Sequence, residues 1–315
     1  MSDTEHHRTA LPGPAQAGRS RPYPQLLRGP TYRWWRPLLS VLAAVALGLG
    51  LAVALLLVSV LLAPVSGGSL DGPTDAWLDG PVGLLYTNLT LAGLIPVATM
   101  ATWAAFGWRP RWVSSVAPGL RRSWLLRCWL IALASFTVLT GGLELLGGYT
   151  WTPEPRWGWL VVVVLLTTPL QAAGEEYLFR GWIPQLVGSM IPGPVVGAVV
   201  GGAVSSGLFA LAHGQQDPWL FADRYAFGAV ACWLVWRTGG LEAGIALHGA
   251  NNLVALLLTI GAGQLTDTLN ASQASPAFVV IDVIMVLVPV ALMLRAARSA
   301  PPARLFVPPG PPLLP

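Results

Sequence analysis

Two carboxylates, two imidazoles and one carboxamide stand between residues 175 and 252, in segments that are otherwise apolar. They lie in three motifs, Glu175-Glu176-x-x-x-Arg180, Phe209-x-x-x-His213 and His248-x-x-x-Asn252. A carboxylate or an imidazole can take a proton from water, so the set can activate a water. Charge in a bilayer is costly: at the centre of a spanning helix it costs roughly 2.5 to 3.5 kcal/mol, and such residues usually face a protein interior and mark a site or a path. The residues predict an enzyme.

The elements that must position them are membrane helices. Hydrophobic residues make up 54% of the chain and charged residues only 10%, and mean hydropathy is +0.61, far from the balance of a soluble domain. The expected fold class is therefore an all-α polytopic membrane protein. All 18 basic residues are Arg, which reads as genomic composition bias. A net charge of +4 spread over membrane loops supports no nucleic-acid face. Cys128 and Cys232 both lie in apolar stretches, which argues against a disulfide framework or a thiolate metal site.

A spanning helix needs about 20 mostly apolar residues. Eight stretches qualify, at roughly 37 to 64, 81 to 107, 124 to 147, 157 to 187, 193 to 213, 219 to 237, 240 to 262 and 276 to 296. Residues 1 to 36, rich in Pro and Arg, read as a disordered cytoplasmic tail, and 299 to 315 as a Pro-rich tail. Between them lie three N-terminal spans over 37 to 150, a core over 155 to 262 (helices 4 to 7) and an eighth span at 276 to 298. Arg8, Arg19, Arg21, Arg28, Arg33 and Arg36 precede the first span, Arg109, Arg111, Arg121 and Arg122 separate the second and third, and Arg295, Arg298 and Arg304 follow the last. With eight spans these all fall on one side, which the positive-inside rule assigns to the cytoplasm together with both termini.

On a helix Glu176 and Arg180 are four apart in the favourable acid-first order, while Glu175 points about 100° away. Glu176 with Arg180 then reads as a structural charge pair, leaving Glu175 free to face a cavity. The alternative is an interfacial helix end with all three charges among headgroups. Phe209 and His213 share a face, and the run Gly201, Gly202, Ala203, Ser205, Ser206 and Gly207 permits close helix approach. A lone His ending a span, as His213 does, is more often an interfacial or hydrogen-bonded structural residue than a catalyst. His248 and Asn252 also share a face, inside the membrane, where both need partners.

In order and membrane context the three motifs resemble the CPBP family of intramembrane proteases, also called CAAX-prenyl-protease and bacteriocin-processing or Abi proteins. The resemblance covers about residues 155 to 262 and extends to Phe179-Arg180-Gly181 and Thr238-Gly239-Gly240-Leu241. It implies that Glu175 activates the hydrolytic water with help from His213, that His248 and Asn252 hold the oxyanion, and that Glu176, Arg180 and Phe209 support the site. The implied activity is an endopeptidase acting on a membrane-associated peptide or protein, with the lipid bilayer as setting and no nucleic acid. The family is also described as metal-dependent, so a zinc site of His213, His248 and Glu175 stands as the alternative, with Glu176 then as base. Asn252, a poor zinc ligand and a good oxyanion donor, favours the metal-free form.

One tension concerns depth. With a fourth helix reaching Leu186 and a fifth starting near Val195, Glu175 lies ~17 Å and His213 ~27 Å from their cytoplasmic ends, while His248 lies ~12 Å beyond the turn at Gly240. Straight helices would miss by ~10 Å or somewhat more. Tilt, a break at Pro184, Pro192 or Pro194, or an interfacial segment from Trp182 to Met190 would remove the offset. Two other functional classes compete with the protease: a proton-coupled transporter using Glu and His as a relay, and a protease-like member that binds membrane proteins without cleaving them. No pair of interrupted helices repeats between two halves of the chain, as many transporter folds would require.

Overall fold

A computed structural model describes residues 20–29, 32–62 and 81–307 of the chain. The helices are α1 (Arg36–Leu62), α2 (Pro81–Ala92), α3 (Leu94–Phe106), α4 (Arg122–Leu146), α5 (Trp157–Glu176), α6 (Ile183–Met190), α7 (Pro194–Leu211), α8 (Pro218–Thr238), α9 (Glu242–Ala262), α10 (Leu265–Leu269) and α11 (Pro276–Ser299). A π-helical turn, Tyr177–Trp182, joins α5 to α6. Local chemistry sets several of these ends. Asp217 accepts the Leu220 N–H at 2.7 Å to start α8, and Ser275 accepts the Phe278 N–H at 3.1 Å to start α11, both as N-caps. Residues 63–64 of the first expected span, and the tail positions 1–19 and 308–315, lie outside the described residues.

Among the described residues seven segments are long and apolar enough to cross a membrane: 36–55, 82–106, 122–146, 157–190, 194–211, 242–262 and 276–299. The protein is an all-α polytopic membrane protein. The remaining expected span, 219 to 237, is helical as α8, but Asp223, Arg224 and Arg237 leave it less apolar than the seven. It packs against α7, α9 and α11. Many outward-facing side chains on the other helices are large and apolar, among them Leu42 and Leu49 on α1, Leu130 and Val138 on α4, and Val195 and Ile284 on α7 and α11. An apolar outer surface of this extent is what a bilayer covers.

The π turn and α6 prolong α5, and α7 runs back along them. Small residues make this possible: a Cβ on Gly201 would approach the Pro184 carbonyl to 2.9 Å, and Ser206 lies against Gly228 of α8. The predicted small-residue run thus serves two neighbours at once. A π turn interrupts the regular carbonyl pairing of a helix, and here the Phe179 carbonyl accepts the Ser205 hydroxyl.

Within the expected disordered tail of 1 to 36, the described residues 20–29 are instead packed. Tyr23, Leu26 and Leu27 are fully buried in the main core with Phe106, Trp108, Val113 and Trp182. Gln25 Nε2 donates to the carbonyls of Gly188 (3.3 Å) and Ile191 (2.8 Å), and Arg28 donates to that of Ser189 at 2.6 Å. These are the unpaired last carbonyls of α6, so the segment caps that helix. The expected tail from 299 also folds back as far as it is described. Arg121 donates to the Ala303 carbonyl at 2.7 Å, Phe306 is buried, and strand β1 (Arg21–Pro22) pairs antiparallel with β2 (Leu305–Phe306). Composition suggested disorder; three apolar side chains and two capping side chains oppose it. Leu27→Ala is accordingly expected to cost about 2 to 5 kcal/mol, read as a lower thermal midpoint in detergent. An unchanged midpoint would mean that the segment contributes no core.

The same segment resolves the depth offset. At the level where α9 begins, Gly181 faces Leu241 and the Tyr23 hydroxyl, within 3.4 and 3.3 Å of an added Cβ, whereas Gly188 lies against Pro24. The helix from Gly181 to Gly188 is about 10 Å long. That length of α6, with the start of α7, extends beyond the α8–α9 turn, and residues 23–27 pack against it. Neither a break at Pro184 nor a separate interfacial segment is needed.

Candidate active site

Glu175 and Glu176 end α5, and both reach His248 on α9. His248 Nδ1 lies 2.9 Å from Glu176 Oε1, and Nε2 lies 3.3 Å from Glu175 Oε2. The ring fills the angular gap between two consecutive helical positions, so side chains pointing about 100° apart share one partner. Both nitrogens meet carboxylate oxygens, which accept only. The arrangement needs an N–H on Nδ1 and one further proton between Nε2 and Oε2.

Close approach of the helices makes this contact possible. A Cβ on Gly244, one turn before His248, would fall 2.5 Å from Glu176 Oε2, so the carboxylate occupies the space a side chain would take. On the other side Gly174 abuts the Leu91 carbonyl at the α2–α3 junction, a contact no larger residue permits.

Glu176 also lies 3.0 Å from Arg180 Nη1, and both side chains are fully buried. The interfacial reading of this motif therefore does not hold. The guanidinium sits 4.0 Å over the Phe209 ring and 5.6 Å from that of Phe227. No Arg180 nitrogen has a well-aligned hydrogen-bond acceptor among the described residues, so the ion pair and the aromatic faces together hold the buried charge.

Gln171 completes the cluster. It is buried, its Nε2 donates to Glu175 Oε2 at 2.8 Å, and its Oε1 accepts from Asn252 Nδ2 at 3.3 Å. Sequence reading passed over Gln171, Phe227 and Gly244. A polar residue one helical turn before Glu175 on the same face, and a glycine one turn before His248, were the signals present.

His213 stands apart from these groups. It is exposed, just past the end of α7, its Nδ1 lies 2.7 Å from the Phe209 carbonyl, and its ring packs edge-on against Phe209 at 4.7 Å. Phe209 in turn lies 5.8 Å from His248, so one aromatic ring separates the two imidazoles. The alternative zinc set of Glu175, His213 and His248 is not gathered: among the described residues no three His, Cys, Asp or Glu side chains stand as metal ligands. His248 has both ring nitrogens committed to carboxylates.

Comparison with known proteins meets this geometry over the same helices. Residues 157–254 match the family described as "Type II CAAX prenyl endopeptidase Rce1-like". The chain is 29% identical over 104 residues to "Uncharacterized protein YyaK" of Bacillus subtilis (strain 168), a match covering 31% of this chain and 33% of that protein. The match thus spans about a third of the length of the curated relative. No solved structure matches significantly. The matched residues run from the start of α5 through Asn252 and contain the whole carboxylate, imidazole and carboxamide cluster, so over these helices the chain is similar to CAAX-type intramembrane endopeptidases.

Proposed function

We propose that the protein is an intramembrane endopeptidase that hydrolyses a peptide bond of a membrane-associated protein or peptide. The observation that carries this reading is the His248 ring held between Glu175 and Glu176 inside a bundle of apolar helices. Both polar contacts of Glu175 fall on Oε2, which leaves Oε1 to take a proton from water. Asn252 Nδ2–H, on the α9 face shared with His248, supplies a donor for the oxyanion of the tetrahedral intermediate, and His248 Nε2–H, which rests on Glu175 Oε2 before substrate arrives, is shared with it. Glu176 and Arg180 hold the imidazole from behind. His213, with Nδ1–H donated to the Phe209 carbonyl, packs on the Phe209 ring that stands between it and His248, and supports the site through that ring. The reaction as proposed uses no metal.

Comparative membrane proteomics of cells carrying the wild-type protein or Glu175→Ala tests the activity: substrates should accumulate uncut in the variant, and identical fragment patterns would count against it. Purified protein separates the catalytic schemes. Asn252→Ala should lower kcat by roughly 10² to 10³ with KM little changed, and metal content should be negligible in the wild type and in the His213→Ala, His248→Ala and Asn252→Ala variants. Stoichiometric zinc lost with either histidine would sink the scheme.

The arginine distribution supports cytoplasmic placement of both chain ends, with α8 as the return segment that keeps the count of crossings even. Single cysteines at Ser2 and Ser299, in a background lacking Cys128 and Cys232, should resist an impermeant thiol reagent in intact cells and react after lysis. Labelling of either in sealed cells would reverse this assignment.

A further inference from the structure

The structure assigns Gln171 as the positioning residue that fixes which way Asn252 presents its amide, through a hydrogen-bonded chain anchored on Glu175; the inference rests on the proposed hydrolytic reading of the site. An ionised carboxylate offers only acceptors, so Gln171 must turn its NH2 group to Glu175. The contact is 2.8 Å. That choice leaves Gln171 Oε1 facing Asn252, and a carbonyl oxygen there admits only the NH2 group of Asn252, at 3.3 Å. A flipped Asn252 would set two carbonyl oxygens against each other.

The amide nitrogen of Asn252 carries two N–H groups. One is spent on Gln171, and the other is then held on the same planar group, on the α9 face it shares with His248. Gln171 is buried and lies four residues before Glu175 on one helical face, so it cannot turn away to water. Without it, Asn252 would be free to aim either its oxygen or its nitrogen at the substrate carbonyl. An oxygen aimed there repels the oxyanion that the amide nitrogen would stabilise. Base and oxyanion donor therefore sit on one rigid chain, Glu175, Gln171, Asn252, and are placed relative to each other before substrate arrives.

A double-mutant cycle tests this with the full-length protein. Gln171→Met preserves length and approximate volume and removes both hydrogen bonds. It should lower kcat by about 10-fold or more while leaving KM within about twofold, the pattern of an interaction realised in the transition state. In that background Asn252→Ala should cost much less than the roughly 10²-fold or greater loss expected in the wild type, because the amide it removes is already misaligned. A Gln171 that serves only packing would leave the Asn252→Ala loss the same in both backgrounds, and equal losses overturn the assignment. Thermal midpoints of the same four proteins should likewise be non-additive. If wild-type protein hydrolyses nothing, the proposed reaction falls, and the midpoints decide the anchoring separately: additive midpoints overturn it, and non-additive ones retain it.

Discussion

Glu175→Gln is expected to lower the hydrolytic rate by about 10² to 10⁴ or more while the protein still inserts and accumulates. The amide is nearly isosteric with the carboxylate and keeps an oxygen for the Gln171 N–H, but it cannot take a proton from water. It also leaves His248 Nε2 without an ionisable partner. Because the side chain retains slight exposure, unlike that of Glu176, the substitution strands no fully buried charge, and stability should change little. Turnover close to wild type would remove Glu175 as the base.

Glu176→Gln should behave in the opposite manner, with a large loss of stability. Glu176 neutralises the fully buried guanidinium of Arg180 at 3.0 Å, and breaking a buried pair by removing one partner costs about 3 to 5 kcal/mol. The Phe209 face offsets only part of this. Protein yield and the thermal midpoint in detergent should both fall, and an unaltered melting profile would show that the pair is not holding the core. The charge-swapped double variant, Glu176→Arg with Arg180→Glu, is expected to recover stability at most and no activity, because an arginine at 176 cannot accept the His248 Nδ1–H.

That last point marks the boundary of what the sequence made legible. Long apolar runs with arginines at their ends gave the helices, because burial of backbone polar groups in lipid leaves few other options. The order of the three motifs gave Glu175, Glu176, Arg180, His248 and Asn252, which the fold gathers into one cluster. Helical geometry alone paired Glu176 with Arg180 and left Glu175 to a cavity, since it treats each position as a direction and has no account of a planar ring wide enough to meet both. Gln171 was invisible for a related reason: its role depends on two residues from different helices, and only one of them is close in sequence. His213 was expected at the reacting centre, but the placement of a residue just past a helix end depends on the turn, which carries little periodic signal. At the N-terminus, Pro and Arg content masked the few side chains that anchor residues 20–29.

The pairing of β1 with β2 has a consequence for the order in which this protein can be made. Arg21 finds its partner in Phe306, so during synthesis this pairing waits until residue 306 has left the ribosome. The carbonyls of Gly188, Ser189 and Ile191 emerge much earlier, and residues 25–28 are available to cap them as soon as α6 exists. Closing a loop from residue 21 to residue 306 in an unstructured chain would carry a large entropic cost. Once the helices between them are set, with the N-terminal segment already seated on α6 and Arg121 ready for the Ala303 carbonyl, little of that cost remains. The strand pair is therefore a late step of biogenesis, a latch that closes on a bundle whose catalytic helices, 157 to 254, have already been translated.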